Sequence, residues 1–139
     1  MPYATLTDLI ERAGESEIVQ IADRDDDGTA DPDVIAAAIE DASTEIDGYL
    51  GVKYTLPLPS TPRLVTTWAV SIARYHLHRD GAPEHIVTDY DNAIKALDRV
   101  SRGLIVIPDI DGDQPDTTER HMSSSPAQVF TPCALRGWR

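Results

Sequence analysis

DPDVIAAAIEDASTEIDGYL, residues 31–50, is the stretch that decides the class of fold. Asp31 is a helix-capping residue type, Pro32 suits the first helical position, and Asp33 sits favourably against the positive end of a helix dipole. Behind them Val34, Ile35, Ala38, Ile39, Ala42, Ile46, Tyr49 and Leu50 recur at spacings of three and four, the signature of one helical face. Gly51 marks the end.

The same pattern extends to both sides. Upstream, residues 5–22 read as two short helices. Thr5 or Thr7 caps the first, which carries Leu6, Leu9 and Ile10 and stops at Gly14. Ser16 caps the second, which carries Ile18, Val19 and Ile21. Downstream, residues 54–62 hold alternating prolines and predict an extended connection. Thr61-Pro62 then starts a helix with Leu64, Val65, Trp68, Ala69, Ile72, Ala73 and His76 on one face, ending at Asp80-Gly81. Pro83 opens a further helix faced by Ile86, Tyr90, Ala93, Ile94, Leu97 and Val100, with Gly103 as its terminator. Asp91 with Lys95 and Asp98 with Arg102 are acid-before-base pairs four residues apart. Leu104-Ile105-Val106-Ile107 is a short β-prone run.

The expected fold is mainly α: a small helical bundle at residues 1–107 with an extended C-terminal arm at 108–139. The arm is acidic from Asp109 to Glu119, then rich in Ser and Pro. Too little of it is apolar to offset the entropy of ordering it as a separate core. Its scattered apolar and basic residues have the composition of a docking strip. Val129, Phe130, Leu135, Arg136, Trp138 and Arg139 are therefore the candidate partner-binding residues.

Composition narrows the function. The chain of 139 residues carries 24 acidic and 12 basic residues, a net charge of −12. Such a surface repels phosphate backbones, so specific nucleic-acid binding is not expected. No stretch approaches the roughly 20 apolar residues that span a bilayer, and Met1-Pro2-Tyr3-Ala4-Thr5 lacks the layout of a signal peptide. A protein made and used without secretion or membrane contact is expected. The single cysteine, Cys133, forms neither an internal disulfide nor a cysteine-rich zinc site.

Residues able to carry chemistry are few. Asp23, Asp25 and Asp27 occupy the first, third and fifth places of a calcium loop, Gly28 its turn and Asp31 its ninth place. The twelfth place is Val34 rather than a bidentate glutamate, and Asp33 is the nearest substitute. The simpler reading is a solvated acidic turn leading into the next helix. The alternative is a calcium-dependent binding module built on residues 23–34. His76 and His78 are two apart and fall on different helix faces, His76 partly buried and His78 at the surface; with His85 they make no zinc spacing. Glu40, Asp41, Glu45 and Asp47 read as a solvated helix face rather than paired catalytic carboxylates. Trp68, Tyr75 and Tyr90 read as core aromatics. No nucleophile elbow or phosphate-binding loop occurs. The expectation is a non-enzymatic protein with no cofactor; a small hydrolase with an unrecognised site is a more distant alternative.

Five fragments carry a resemblance: Tyr3-Ala4-Thr5 with Asp8-Leu9-Ile10; Asp23-Arg24-Asp25 with Asp27-Gly28; Ala42-Ser43-x-Glu45-Ile46-Asp47-Gly48-Tyr49-Leu50; Tyr54-x-Leu56-Pro57-Leu58; and Ile72-Ala73-Arg74-Tyr75-x-Leu77. Together, over about residues 3–107, they resemble small proteins of Mu-like prophages and many siphophages, the head–tail adaptors, also called head-completion or connector proteins. The resemblance implies a homo-oligomeric ring, dodecameric in this family, in the virion neck. Its partners would be the portal protein and a stopper or tail-completion protein, with the capsid as a further candidate. DNA would pass its channel without specific binding, and an acidic wall would let it slide. Synthesis would be in the host bacterial cytoplasm. Nothing in the arm after Pro108 matches the resemblance.

Overall fold

A computed structural model describes residues 2–78 and 80–108. They form five helices in chain order: α1 (Leu6–Ala13), α2 (Glu15–Ala22), α3 (Pro32–Leu50), α4 (Arg63–Leu77) and α5 (Glu84–Ser101). No strand occurs among the described residues. The mainly helical reading holds. The six candidate docking residues, Val129, Phe130, Leu135, Arg136, Trp138 and Arg139, lie outside the described residues, as does Cys133.

Local chemistry explains most helix ends. At α1 the Thr5 hydroxyl accepts from the Asp8 N–H at 3.4 Å while the Asp8 carboxylate accepts from the Thr5 N–H at 2.8 Å, a reciprocal capping box. Gly14, at φ +89°, closes α1 and is also the residue from which α2 starts. The expected Ser16 cap is thus displaced: the turn is so tight that α2 begins at Glu15, and acidic residues in its first turn complement the exposed N–H groups instead. Residue Gly103, at φ +73°, ends α5. Its N–H donates to Val100 O at 2.9 Å, and the Leu104 N–H reaches Arg99 O at 2.8 Å, the paired bonds of a Schellman end. Helix α4 starts one residue later than expected, at Arg63 after Pro62, and stops at Leu77, three residues before Asp80.

α4 is the centre of the molecule. Trp68 through Ala73 are buried without a break, so the helix is covered on nearly every side. Helices α1, α3 and α5 all pack against it, and α3 and α5 also meet one another. The stripes meet as their periodicity requires: Ile35, Ala38, Ile39, Ala42, Ile46 and Leu50 from α3, and Ile86, Ala93, Leu97 and Val100 from α5. Burying a side chain such as Ile46 or Leu97 completely is worth about 1.5–3 kcal/mol. Small residues at Ala42, Ala69 and Ala73, all fully buried, leave room for close helix approach.

Two segments outside the helices complete the core. Tyr3 and Ala4 are buried; the Tyr3 N–H donates to the Ser43 hydroxyl at 3.0 Å, and that hydroxyl donates to Ile39 O at 2.8 Å. The buried Ser43 is therefore satisfied on both counts. The proline-rich connection is more than a spacer, because Tyr54 and Leu58 within it are buried. The β-prone run 104–107 is not a strand. Leu104 and Val106 are exposed, whereas Ile107 is fully buried and donates its N–H to the Tyr54 hydroxyl at 3.1 Å. With no partner edge to pair with, the run ends the described fold as a single apolar peg.

Candidate functional site

The acidic loop between α2 and α3 is built by its own backbone. Asp23 accepts from the Asp27 N–H at 3.2 Å and the Gly28 N–H at 2.8 Å. Asp25 accepts from the Asp27 N–H at 3.3 Å. Asp27 accepts from the Thr29 N–H at 2.8 Å and the Thr29 hydroxyl at 2.6 Å. Asp26 at φ +59° and Gly28 at φ +84° supply the left-handed bends. The result brings one carboxylate oxygen each from Asp23, Asp25 and Asp27 within 4.8 Å of one another.

Crowded carboxylates titrate unequally. Desolvation raises Asp23, but the N–H of Gly28, the Asp25 side chain and the N–H of Asp27 outweigh it and hold its carboxyl low. Sharing a proton with Asp23 pushes Asp25 up. The hydroxyl and N–H of Thr29 hold Asp27 down. Asp31 stands apart from this trio. Its carboxylate accepts from the Arg24 N–H at 2.9 Å and makes no bond to the start of α3, so the expected side-chain cap is replaced by a loop clamp. Val34, in the glutamate position of a calcium loop, packs against the hydrophobic core as the first apolar residue of α3.

A second polar cluster joins α2 to α4. Arg74 makes two 2.6 Å bonds to Glu17, Nε to Oε1 and Nη2 to Oε2, the planar fork that suits a carboxylate. The side chains are 11% and 28% exposed, so the pair is largely withdrawn from water. Arg74 holds the Glu17 carboxyl below the usual range, against the opposing effect of partial burial. His78 Nε2 lies 3.7 Å from Glu17, too far for a hydrogen bond, and is buried without a partner. Burial pushes the imidazole below its ordinary value although Glu17 pulls the other way. The expected roles of the two histidines are reversed: the side chain of His78 is 12% exposed and that of His76 32%. Because α4 stops at Leu77, His78 leaves the helical phase and turns in toward α2.

A third cluster joins α3, α4 and α5. Glu45 accepts from the Tyr90 hydroxyl at 2.9 Å and lies 3.2 Å from His76 Nε2. Tyr75 and Tyr90 stack with ring centroids 4.1 Å apart and planes 16° from parallel. Burial and then the Glu45 bond push the Tyr90 phenol up to about 12. Tyr3 reaches Asp47 in the same way, and burial, then that bond, raises its phenol above the ordinary value. Glu45 and Asp47 are therefore not free members of a solvated face. Tyr75 and Tyr90 are half-buried rather than core residues, while Trp68 is buried as expected. Of the two acid–base pairs along α5, Asp98–Arg102 forms at 3.1 Å and Asp91–Lys95 does not close.

Between the first two clusters lies a cleft of about 600 Å³, at the end of the bundle where α2, the acidic loop, the end of α4 and the start of α5 meet. Arg24 crosses one side, its Nη2 donating to Leu77 O at 3.2 Å and so serving a helix-end carbonyl. Neither the cleft nor the Glu17 and Glu45 ties was marked by any spacing in the sequence, because their members lie 31 to 57 residues apart. No helix among the described residues is long and apolar enough to cross a membrane.

Comparison with known proteins adds the context that geometry lacks. The family model described as "Bacteriophage Mu, Gp36" matches residues 3–125. The chain is 35% identical over 112 residues to the Mu-like prophage FluMu protein gp36 of Haemophilus influenzae, covering 81% of this chain and 79% of that protein. It is 32% identical over 104 residues to Gene product J of Escherichia phage Mu, covering 74% of each. The family match runs beyond Pro108, further than the fragment resemblance over about 3–107, and leaves out residues 126–139.

Proposed function

The chain belongs to the phage Mu Gp36 family, and from that premise we propose that it is a structural head–tail adaptor. In this reading many copies form a ring, dodecameric as the family resemblance implies, between portal and stopper or tail-completion protein in the virion neck. The ring conducts DNA without binding it specifically, and it acts as a structural part rather than an enzyme. The observation that carries the reading is how the polar groups are used. Glu17 with Arg74, Glu45 with Tyr90 and His76, and Tyr3 with Asp47 are each engaged in holding one element against another. The remaining surface is rich in carboxylates, which suits a channel wall past which DNA must slide.

The test is a phage lacking this gene. Filled or filling heads and finished tails should accumulate without joining, and the supplied protein should restore joining and co-sediment with portal-bearing heads. Normal tail joining in its absence would refute the proposal.

The cluster of three carboxylate oxygens favours a second reading, a calcium-dependent binding module using residues 23–34. Calorimetric titration with Ca²⁺ separates the two. A saturable one-to-one heat that disappears in Asp25→Asn supports the module; none supports the adaptor with a purely structural loop.

A further inference from the structure

The cleft at the α2, α4 and α5 junction combines an apolar floor with an acidic rim. Ile21, Leu77 and Ile86 supply the floor. Asp23, Asp26 and Asp80 line it with Glu17, beside the guanidinium of Arg24. The rest of the chain holds a segment of the opposite kind. Residues 120–139 contain Arg120, Arg136 and Arg139 and no acidic residue, a charge of +3, whereas residues 1–108 contain 19 acidic and 9 basic residues, a charge of −10. Within that segment Arg136-Gly137-Trp138-Arg139 places one large aromatic between two cations.

We propose that this cleft is the docking site for the Arg136–Arg139 segment of a second copy of the chain, the indole on the apolar floor and the two guanidinium groups on the aspartate rim. This rests on the ring reading above and names the contact between neighbours. Aromatic and arginine side chains are the usual anchors of protein interfaces, and about 600 Å³ accommodates an aromatic ring with an adjoining cation. Charge complementarity draws a basic segment out of an otherwise acidic chain to this rim and discourages the acidic faces of two copies from meeting elsewhere.

Length permits delivery to a neighbour. Ile107 anchors the described chain against Tyr54, one length of α5 away from the cleft. Eighteen helical residues span about 27 Å. Residues 109–135 lie between this anchor and Arg136, and a chain of 27 residues bridges roughly 30 Å on average and up to about 90 Å when extended. Reach therefore extends past the body of one subunit. A segment on one copy that fits a different patch on the next is a heterologous contact, the kind that closes into rings. Residues 126–139 lie beyond the family match, so the contact is proposed for this chain alone.

The experiment uses the full chain labelled with 5-fluorotryptophan, whose two fluorine signals, Trp68 and Trp138, are assigned with Trp138→Phe. In the unaltered chain the Trp138 signal should move away from its free-peptide position as concentration rises. Gln20→Lys with Asp80→Lys, two exposed cleft positions, should return it to the free position and weaken association at least tenfold, with Trp68 unmoved as evidence of an intact fold. Adding an unlabelled chain that has an intact cleft but carries Arg136→Ala, Trp138→Phe and Arg139→Ala should shift that signal again, since only docking between copies can do so. A Trp138 signal at the free position at every concentration overturns the proposal. So does a shift that is independent of concentration, which assigns the cleft to the chain's own segment. So does a mixture that leaves the signal unchanged. Tail joining that proceeds without the protein would sink the adaptor reading while leaving this docking result intact.

Discussion

Two sets of carboxylates in this chain solve the same problem in opposite ways. Asp23, Asp25, Asp27 and Asp31 take their hydrogen bonds from groups two to seven residues away, almost all of them backbone N–H. Glu17 and Glu45 take theirs from side chains 31 to 57 residues away on other helices. The first arrangement shapes a loop that can form before the rest of the protein does. The second exists only once the helices have packed, and in return it fixes how they pack. A carboxylate count treats the two alike; their contributions to stability differ because only the long-range set leaves a withdrawn charge stranded when one partner is removed.

The sharpest way to break the contrast is Arg74→Met. It leaves Glu17 beside the end of α4 without its two 2.6 Å bonds, with the side chain only 28% exposed. A loss of about 2–4 kcal/mol is expected in chemical denaturation. The double variant Arg74→Met with Glu17→Met should recover much of it, because no stranded charge remains. Glu45→Ala comes next. It removes the acceptor of the Tyr90 hydroxyl and the contact to His76 but strands no charge, and the tyrosine stack persists. About 1–2 kcal/mol is expected. If Glu45→Ala costs more than Arg74→Met, the distinction between stranded charges and lost hydrogen bonds is wrong for this protein.

The same division explains what was legible from residues alone. Every helix was visible because each rests on a repeat of three and four, and repeats are local. The Thr5 cap and the Gly103 terminator were visible for the same reason. Local signals mislead where a nearer partner competes or a helix ends early. Asp31 sits at the right place to cap α3, yet its carboxylate turns back to the Arg24 N–H, since the loop offers a nearer donor. A helix continued to Asp80 puts His78 at the surface opposite His76, whereas the helix ends at Leu77 and His78 turns in toward α2. The Glu17 fork, the Glu45 clasp and the cleft left no sequence trace: no spacing links residue 17 to residue 74. The candidate docking residues after Pro108, which rest on composition, lie outside the described residues.

Acidification offers a third probe, smaller than either substitution. His78 is held below its ordinary value of 6.5 by burial. The folded state therefore favours the neutral ring, and stability is fully present above about pH 6.5 and is lost as pH falls through the lowered folded value. Glu17 is held below 4.5 by Arg74, so its contribution is present above that value and fades at still lower pH. Melting temperatures should decline in two stages on acidification. His78→Asn should flatten the first stage and Arg74→Met the second. A melting temperature that rises between pH 7 and pH 5 would contradict the assignment for His78.

The smallest effect belongs to the loop itself. Its three clustered carboxylates repel one another, and Asp25 is raised first by its hydrogen bond with Asp23, then by desolvation, with the charges of Asp27 and Asp31 adding less. Asp25→Asn removes one charge, keeps an oxygen to accept the Asp27 N–H, and leaves the bonds of Asp23 and Asp27 in place. Asp25 and Asp27 are open to water and Asp23 is half-buried, and between such groups the interactions are weak and screened by salt. The melting temperature should therefore rise by no more than about a degree or two, and less at high salt. A chelator should leave it unchanged, because the loop is already held by Gly28, Thr29 and Arg24 and because Val34 stands where a strong calcium loop places its bidentate glutamate. Scanning calorimetry with and without chelator, at two salt concentrations, measures all of this. A fall of several degrees on chelation would mean that the loop's shape depends on a bound cation. The local set would then be as dependent on a distant partner as Glu17 is, and the contrast between the two sets of carboxylates would fail.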